Sequence, residues 1–247
     1  MLNKFFDPSA SVLRPELVVP TLTKSSPHEL TLPSRAVIVF AAPDESFLCR
    51  KIPGRLIKAW QPYHRIYRLG ETGTIVTRSG FGGPNTASLV EELCAFGVRE
   101  FLLWGYCGGI GQDVRIGDVL MAEGAIREEG ASYHYLSTDD DTVGNGWDEW
   151  REGLPNGFKK GLIWTTDAPY RETVSKIAYY RDRGVAGVEM EVASFYAVCR
   201  FLKVKGIAFL VVSDLFAGEG WRGGFFSPDF KKGVKDLGGF ILDEFVA

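Results

Sequence analysis

Two glycine clusters and three carboxylates are the residues of this chain whose types and spacing can do chemistry. Gly80-Phe81-Gly82-Gly83-Pro84-Asn85-Thr86 follows a β-branched run and opens a helical pattern, so its backbone N–H groups can turn towards an anion or a sugar hydroxyl. Such glycines can also serve a tight turn and nothing more. Gly105-Tyr106-Cys107-Gly108-Gly109-Ile110-Gly111 follows a second apolar run, and two clusters at strand ends imply one shared crevice. Glu189 and Glu191 flank Met190 just before a helix; a solvated or salt-bridged pair is the plain alternative to a functional one. Asp214 ends the most apolar run, Gly206 to Ser213, where a carboxyl group can hold a proton and act as a general acid, or cap whatever follows Leu215.

The elements that must position these groups show in the periodicity. Val37–Phe40, Thr74–Thr77, Phe101–Trp104, Val119–Met121 and Gly206–Ser213 read as buried strands. Asn85 to Phe96 places Leu89, Leu93 and Phe96 on one helical face and stops at Gly97; Val192 to Leu202 carries a stripe of Val192, Tyr196 and Cys199. A last helix presents Leu237, Ile241 and Phe245. The order predicts an α/β fold: a single domain with a central mixed β-sheet flanked by helices on both faces. Residues 1–33, broken by Pro15, Pro20, Pro27 and Pro33, read as an extended N-terminal arm before a domain over 34–247. Ser137 to Gly157, rich in Asp, Gly and Trp, reads as a long surface loop able to cover a site.

Composition narrows the partners. With 28 Lys+Arg against 31 Asp+Glu, a net charge of -3 gives no broad attraction to nucleic acid or an anionic membrane, so the expected partner is a small molecule. The four cysteines form no CxxC pair and have no histidine at metal spacing, which predicts no metal site and a reducing, cytoplasmic setting. The first twenty residues lack the unbroken apolar stretch of a signal peptide, and no run is long enough to span a bilayer.

Motifs spread from Ala36 to Asp214 carry a family resemblance. Gly80-x-Gly82-Gly83-Pro84, Val90-Glu91-Glu92-Leu93, Ile116-Gly117-Asp118-Val119 and Glu129-Gly130-Ala131-Ser132 resemble the uridine phosphorylases. Gly187-Val188-Glu189-Met190-Glu191 and Val212-Ser213-Asp214 resemble the purine nucleoside phosphorylases of the same nucleoside phosphorylase superfamily. The resemblance implies cleavage of a glycosidic bond through a cation-like sugar, a site that grips ribose and neutralises the departing base. It implies that Glu191 accepts both ribose hydroxyls, with Met190 as an apolar floor and Glu189 and His28 on the ribose side. Asp214 is similar to the purine-type catalytic acid, which tips the expected base towards purine. Tyr170, Thr166, Gly108 and Val188 would line the base. Pro169 stands where the family has a phenylalanine, and Thr166 and Asp167 read equally well as caps of the next helix.

The nucleophile side departs from the family. It would be formed by Ala41, Gly82, Tyr106 and Arg65, the last similar to an arginine donated by a neighbouring subunit. Glu45 and Leu103 stand where arginines are expected, and Tyr106 replaces a Ser or Thr. Two like charges ~4 Å apart at an effective dielectric near 20 repel by about 4 kcal/mol, so Glu45 facing phosphate would oppose its binding. Glu45 is similar in position to the glutamate that activates water in methylthioadenosine and adenosylhomocysteine nucleosidases; pairing with Arg65 would make it inert instead. The expectation is a cofactor-free, nucleoside phosphorylase-like pentosyltransferase acting on a purine-type nucleoside, with phosphate as co-substrate if phosphorolytic. A hydrolytic nucleosidase using Glu45, or a non-catalytic nucleoside binder, stays open beside it. The arm and Arg65 point to a homodimer or a trimer of dimers.

Overall fold

The computed structural model describes residues 5–137, 139–151, 154–217 and 220–246. In chain order the elements are α1 (Pro15–Thr23), β1 (Arg35–Val39), α2 (Ala42–Lys51), β2 (Gly54–Leu56), β3 (Ile66–Leu69), β4 (Thr74–Arg78), α3 (Gly83–Ala95), β5 (Glu100–Gly109), β6 (Val119–Glu128), α4 (Ser132–Tyr135), β7 (Thr142–Gly144), β8 (Phe158–Thr166), α5 (Val174–Asp182), β9 (Val185–Glu189), α6 (Val192–Leu202), β10 (Lys205–Ala217), β11 (Gly220–Gly223) and α7 (Pro228–Ile241).

The strands form one mixed sheet in the order β11-β10-β6-β8-β9-β5-β1-β4-β3-β2, with β7 on β6. Because β10 also pairs with β5, strands β5, β10, β6, β8 and β9 close on themselves. Side chains alternate along each strand, so Ile38 and Leu103 enter an apolar layer with Phe195 and Tyr196 of α6, while Val37, Val39 and Trp104 enter a second with Leu237 and Ile241 of α7. The single-domain α/β fold with helices on both faces is thus the observed one. In β10 the register against β5 slips between Val212 and Asp214, which leaves Ser213 as one extra residue, a β-bulge.

Two sequence expectations need correction. The N-terminal segment is not extended throughout: Pro15 sits in the first helical turn of α1, where its fixed φ suits helix and its missing N–H is not needed. Val19 and Leu30 are fully buried, the Trp60 indole donates to the Leu30 carbonyl at 3.0 Å, and the Leu32 N–H reaches the Phe96 carbonyl at 2.8 Å, so the arm packs on its own chain. The stretch from Ser137 to Gly157 does not hang over a site in its described part. Val143 joins β7 to β6, and Trp147 packs edge-on against Trp150 and Phe245, since burying two indoles outweighs leaving the segment in water. Thr138, Glu152 and Gly153 lie outside the described residues.

Candidate active site

The parallel strands β1, β4, β5 and β10 end on one edge of the sheet, where α/β sheets receive ligands. On that edge Gly108 is in register with Val188 of β9 on one side and Asp214 of β10 on the other. A Cβ at position 108 would meet Asp214 Oδ2 at 3.0 Å and Val188 Cγ1 at 3.3 Å, so glycine lets these two groups approach. Asp214 is buried; its Oδ1 accepts from the Ser213 hydroxyl at 2.6 Å and its Oδ2 from the Trp221 indole N–H at 2.7 Å.

Three residues beyond Val188, Glu191 opens α6 and is also buried. The Gly82 N–H donates to its Oε1 at 2.5 Å, and Gly82 holds φ +92°, a conformation that glycine adopts without strain. Met190 between the carboxylates is half-buried. Glu189, expected on the ribose, has both oxygens engaged elsewhere: Oε1 accepts from the Thr165 hydroxyl at 2.5 Å, and Oε2 from the N–H groups of Glu191 and Val192 at 2.6 and 2.8 Å. It caps α6 and thereby aims Glu191. Beneath them Glu129 ties Ser194 of α6 to Ser132.

Burial pushes the carboxyl groups of both Glu189 and Glu191 above their ordinary value of 4.5; the Glu191 charge adds to the effect on Glu189, and the Asp167 charge to that on Glu191. The folded state therefore binds these protons more tightly than the unfolded chain, and the associated stability, full below 4.5, is lost as pH rises towards neutrality. The thermal midpoint of the wild-type chain should fall between about pH 5 and about pH 8, and Glu191→Gln should flatten that fall. A variant with the wild-type slope would mean Glu191 is ionised at no cost.

At the nucleophile end, Ala41 is the N-cap residue of α2 and its carbonyl receives the N–H groups of Asp44 and Glu45 at 3.2 and 3.4 Å. Glu45 is buried and paired with Arg78 at 2.8 Å rather than with Arg65. The Tyr106 hydroxyl lies 2.8 and 2.7 Å from the two oxygens of Asp44, to which it donates. Burial raises Asp44 to about 6 against the opposing pull of Tyr106.

Other expected residues sit at the margin of this edge or away from it: Thr166 follows Thr165, the register partner of Glu189, and Arg65 precedes Ile66, the register partner of Thr77. Tyr170 is fully exposed. Thr166 is buried and accepts from the Ala168 N–H at 3.4 Å, while Asp167 accepts from Gly130 N–H at 3.0 Å; Thr173 caps α5 in their place. Arg65 is exposed and donates to the Tyr67 hydroxyl at 2.6 Å. His28 is exposed in the turn leading to Leu32, which bonds at the Phe96 end of α3. Gly82 is at the other end of that 13-residue helix, roughly 20 Å away. A crevice of about 430 Å³ lined by Pro84, Ser88, Gly130, His134 and Asp167 adjoins the Gly82 turn; Glu191 and Asp214 lie outside its walls.

Sequence reasoning missed Arg78, Asp44, Ser213, Trp221 and Glu172. Arg78 lies two residues before the first glycine cluster, and Asp44 directly precedes Glu45, so both positions carried a signal. Glu172 is half-buried and raised to about 7, by burial first and then by the Asp214 charge, which places the two carboxyls in one electrostatic neighbourhood. Trp221 reaches Asp214 only through the β10–β11 pairing, for which no local pattern exists.

A family model described as the phosphorylase superfamily matches residues 36–247. The chain belongs to the phosphorylase superfamily. It is 33% identical over 152 residues to an uncharacterized protein of Acanthamoeba polyphaga mimivirus, covering 61% of this chain and 60% of that protein. It is 31% identical over 169 residues to a guanosine phosphorylase of Halorubrum lacusprofundi, covering 63% and 68%. The chain thus spans about three fifths to two thirds of the length of these relatives. A purine nucleoside phosphorylase from Toxoplasma gondii, solved with immucillin-H, superposes with a TM-score of 0.74 at 19% identity over 89% of this chain and 92% of that one. This superfamily member accordingly shares its fold with nucleoside phosphorylases. No helix among its described residues is long and apolar enough to cross a membrane.

Proposed function

We propose that this superfamily member cleaves the N-glycosidic bond of a purine nucleoside, with Glu191 gripping the ribose, Asp214 protonating the base and water taking the sugar. The observation that carries this reading is the meeting of Asp214 and Val188 at Gly108, with Glu191 three residues beyond Val188. One carboxyl there can serve the base while the other serves the vicinal diol, and a cation-like sugar beside the Glu191 carboxylate is electrostatically favoured. Glu172, which feels the Asp214 charge, supports a purine, because a carboxylate can accept from the N1–H edge of an oxopurine. The base reaches Asp214 Oδ2 only once the Trp221 indole releases it.

Water is favoured over phosphate by the two carboxylates in the first turn of α2. Glu45 is the general base of this reading, and its contact with Arg78 orients it. Phosphorolysis is the second reading, and Arg78 is the observation in its favour: released from Glu45, its guanidinium would bind a phosphate. The test is a purine nucleoside panel assayed with and without inorganic phosphate, following free base, ribose and ribose 1-phosphate. The expected result is base release indifferent to phosphate, with ribose as product, and a loss of about 10²-fold or more in Glu45→Gln. Ribose 1-phosphate as the product would establish the second reading, and tight binding without base release would leave a nucleoside sensor.

His28 lies near the Phe96 end of α3, away from Gly82, and the Arg65 side chain is exposed; in this reading both complete a neighbouring copy's site in a homodimer or a trimer of dimers. The domain so completed runs from 34 to 247, and a cytoplasmic setting suits its free cysteines.

A further inference from the structure

The N-terminus of α2 lies where an incoming nucleophile would enter, and its chemistry is unusual for that place. A helix N-terminus that follows a parallel strand normally offers free N–H groups and a positive dipole end to an anion. Here Pro43 in the first turn has no N–H, and the same turn holds two buried acids, Asp44 and Glu45. The Arg78 guanidinium is already matched by Glu45.

The remaining acid is held in place from the sheet. Val39, the last residue of β1, is in register with Trp104 of β5, so Tyr106, two residues further along β5, projects past the end of β1 towards α2. Its ring packs edge-on against Phe230 at 5.0 Å, and its hydroxyl donates to the Asp44 carboxylate. Asp44 is 1% exposed, so Tyr106 is what keeps this carboxylate hydrogen-bonded in a buried position.

We propose that Asp44, fixed by Tyr106, is a built-in counter-anion that occupies the α2 N-terminus and closes the nucleophile end to phosphate and other oxyanions, which makes Asp44 a specificity-determining residue for water. The inference rests on reading this sheet edge as the nucleoside site, and it extends that reading to the choice of nucleophile. Asp44 contacts no reacting atom; it acts through charge and through the space that Tyr106 fills.

Calorimetric titration of the full chain with inorganic phosphate tests the proposal without needing turnover. The wild-type chain should show no saturable binding in the millimolar range. Asp44→Asn, which keeps the shape and the Tyr106 contact, should gain affinity by about tenfold or more, because a like charge has been removed from the anion's position. Tyr106→Ser, which opens space but keeps the carboxylate, should stay blind to phosphate, and the double variant should bind most tightly and begin to form ribose 1-phosphate. Saturable phosphate binding by the wild-type chain overturns the proposal, as does a folded Asp44→Asn as blind as the wild type. The wild-type measurement decides against it even if a variant fails to fold. A chain that excludes phosphate but cleaves no nucleoside would refute the proposed function while leaving the anion-exclusion result standing.

Discussion

Replacing Glu191 with alanine should lower kcat/KM for purine ribonucleosides by about 10²–10³-fold. The carboxylate is buried at the start of α6, tied by the Gly82 N–H and aimed by the Glu189 cap, so its orientation is set before substrate arrives. Charge-assisted hydrogen bonds to the 2′- and 3′-hydroxyls are roughly twice as strong as neutral ones, and they strengthen as the sugar becomes cationic. The loss should therefore fall on kcat as well as KM. A second readout distinguishes the diol contact from general damage: the wild-type preference for ribosides over 2′-deoxyribosides should shrink in Glu191→Ala. Activity within about threefold of wild type, or an unchanged sugar preference, would remove Glu191 from the ribose.

Asp214→Asn should slow purine nucleosides by about 10²–10⁴-fold, the range general acid assistance covers, and slow substrates with activated leaving groups far less. The asparagine keeps the size of the side chain and can still accept from Ser213 or Trp221, so the strand end should hold its shape while the transferable proton is lost. Comparing a purine nucleoside with a nitrophenyl riboside separates the proton from the geometry. Equal losses on both substrates would show that Asp214 holds the site together and does not act as an acid.

The readable part of this protein was the part encoded locally. The apolar run from Gly206 to Ser213 announces a buried strand, and the carboxyl that follows it stands out against that background. The glycine cluster at 80–83 marks a helix entrance, and α6 begins and ends at the expected residues. Contacts made across long sequence separation were not readable. The partner of Glu45 is Arg78 from β4 and not Arg65, because the sheet sets β1 beside β4 in parallel register. The pairing of β10 with both β5 and β6, which brings Asp214 to Gly108, has no periodic signature in any single segment. The arm was misjudged for a different reason: proline in a first helical turn favours helix, and Pro20 alone did not outweigh the burial of Val19.

The extra residue in β10 has a consequence for how this chain can vary. Along an unbroken strand, residues three apart point to opposite sides, yet Val212 and Leu215 both pack into the apolar layer that holds Phe195 and Tyr196. Ser213 supplies the odd count that makes this possible, and so turns the carboxyl at 214 out of that layer. The side on which the carboxyl at 214 emerges is thus a matter of parity, which no exchange of side chains can undo. Losing or gaining a single residue at the kink would exchange acid and aliphatic neighbour in one step, so chain length here is constrained more tightly than residue identity.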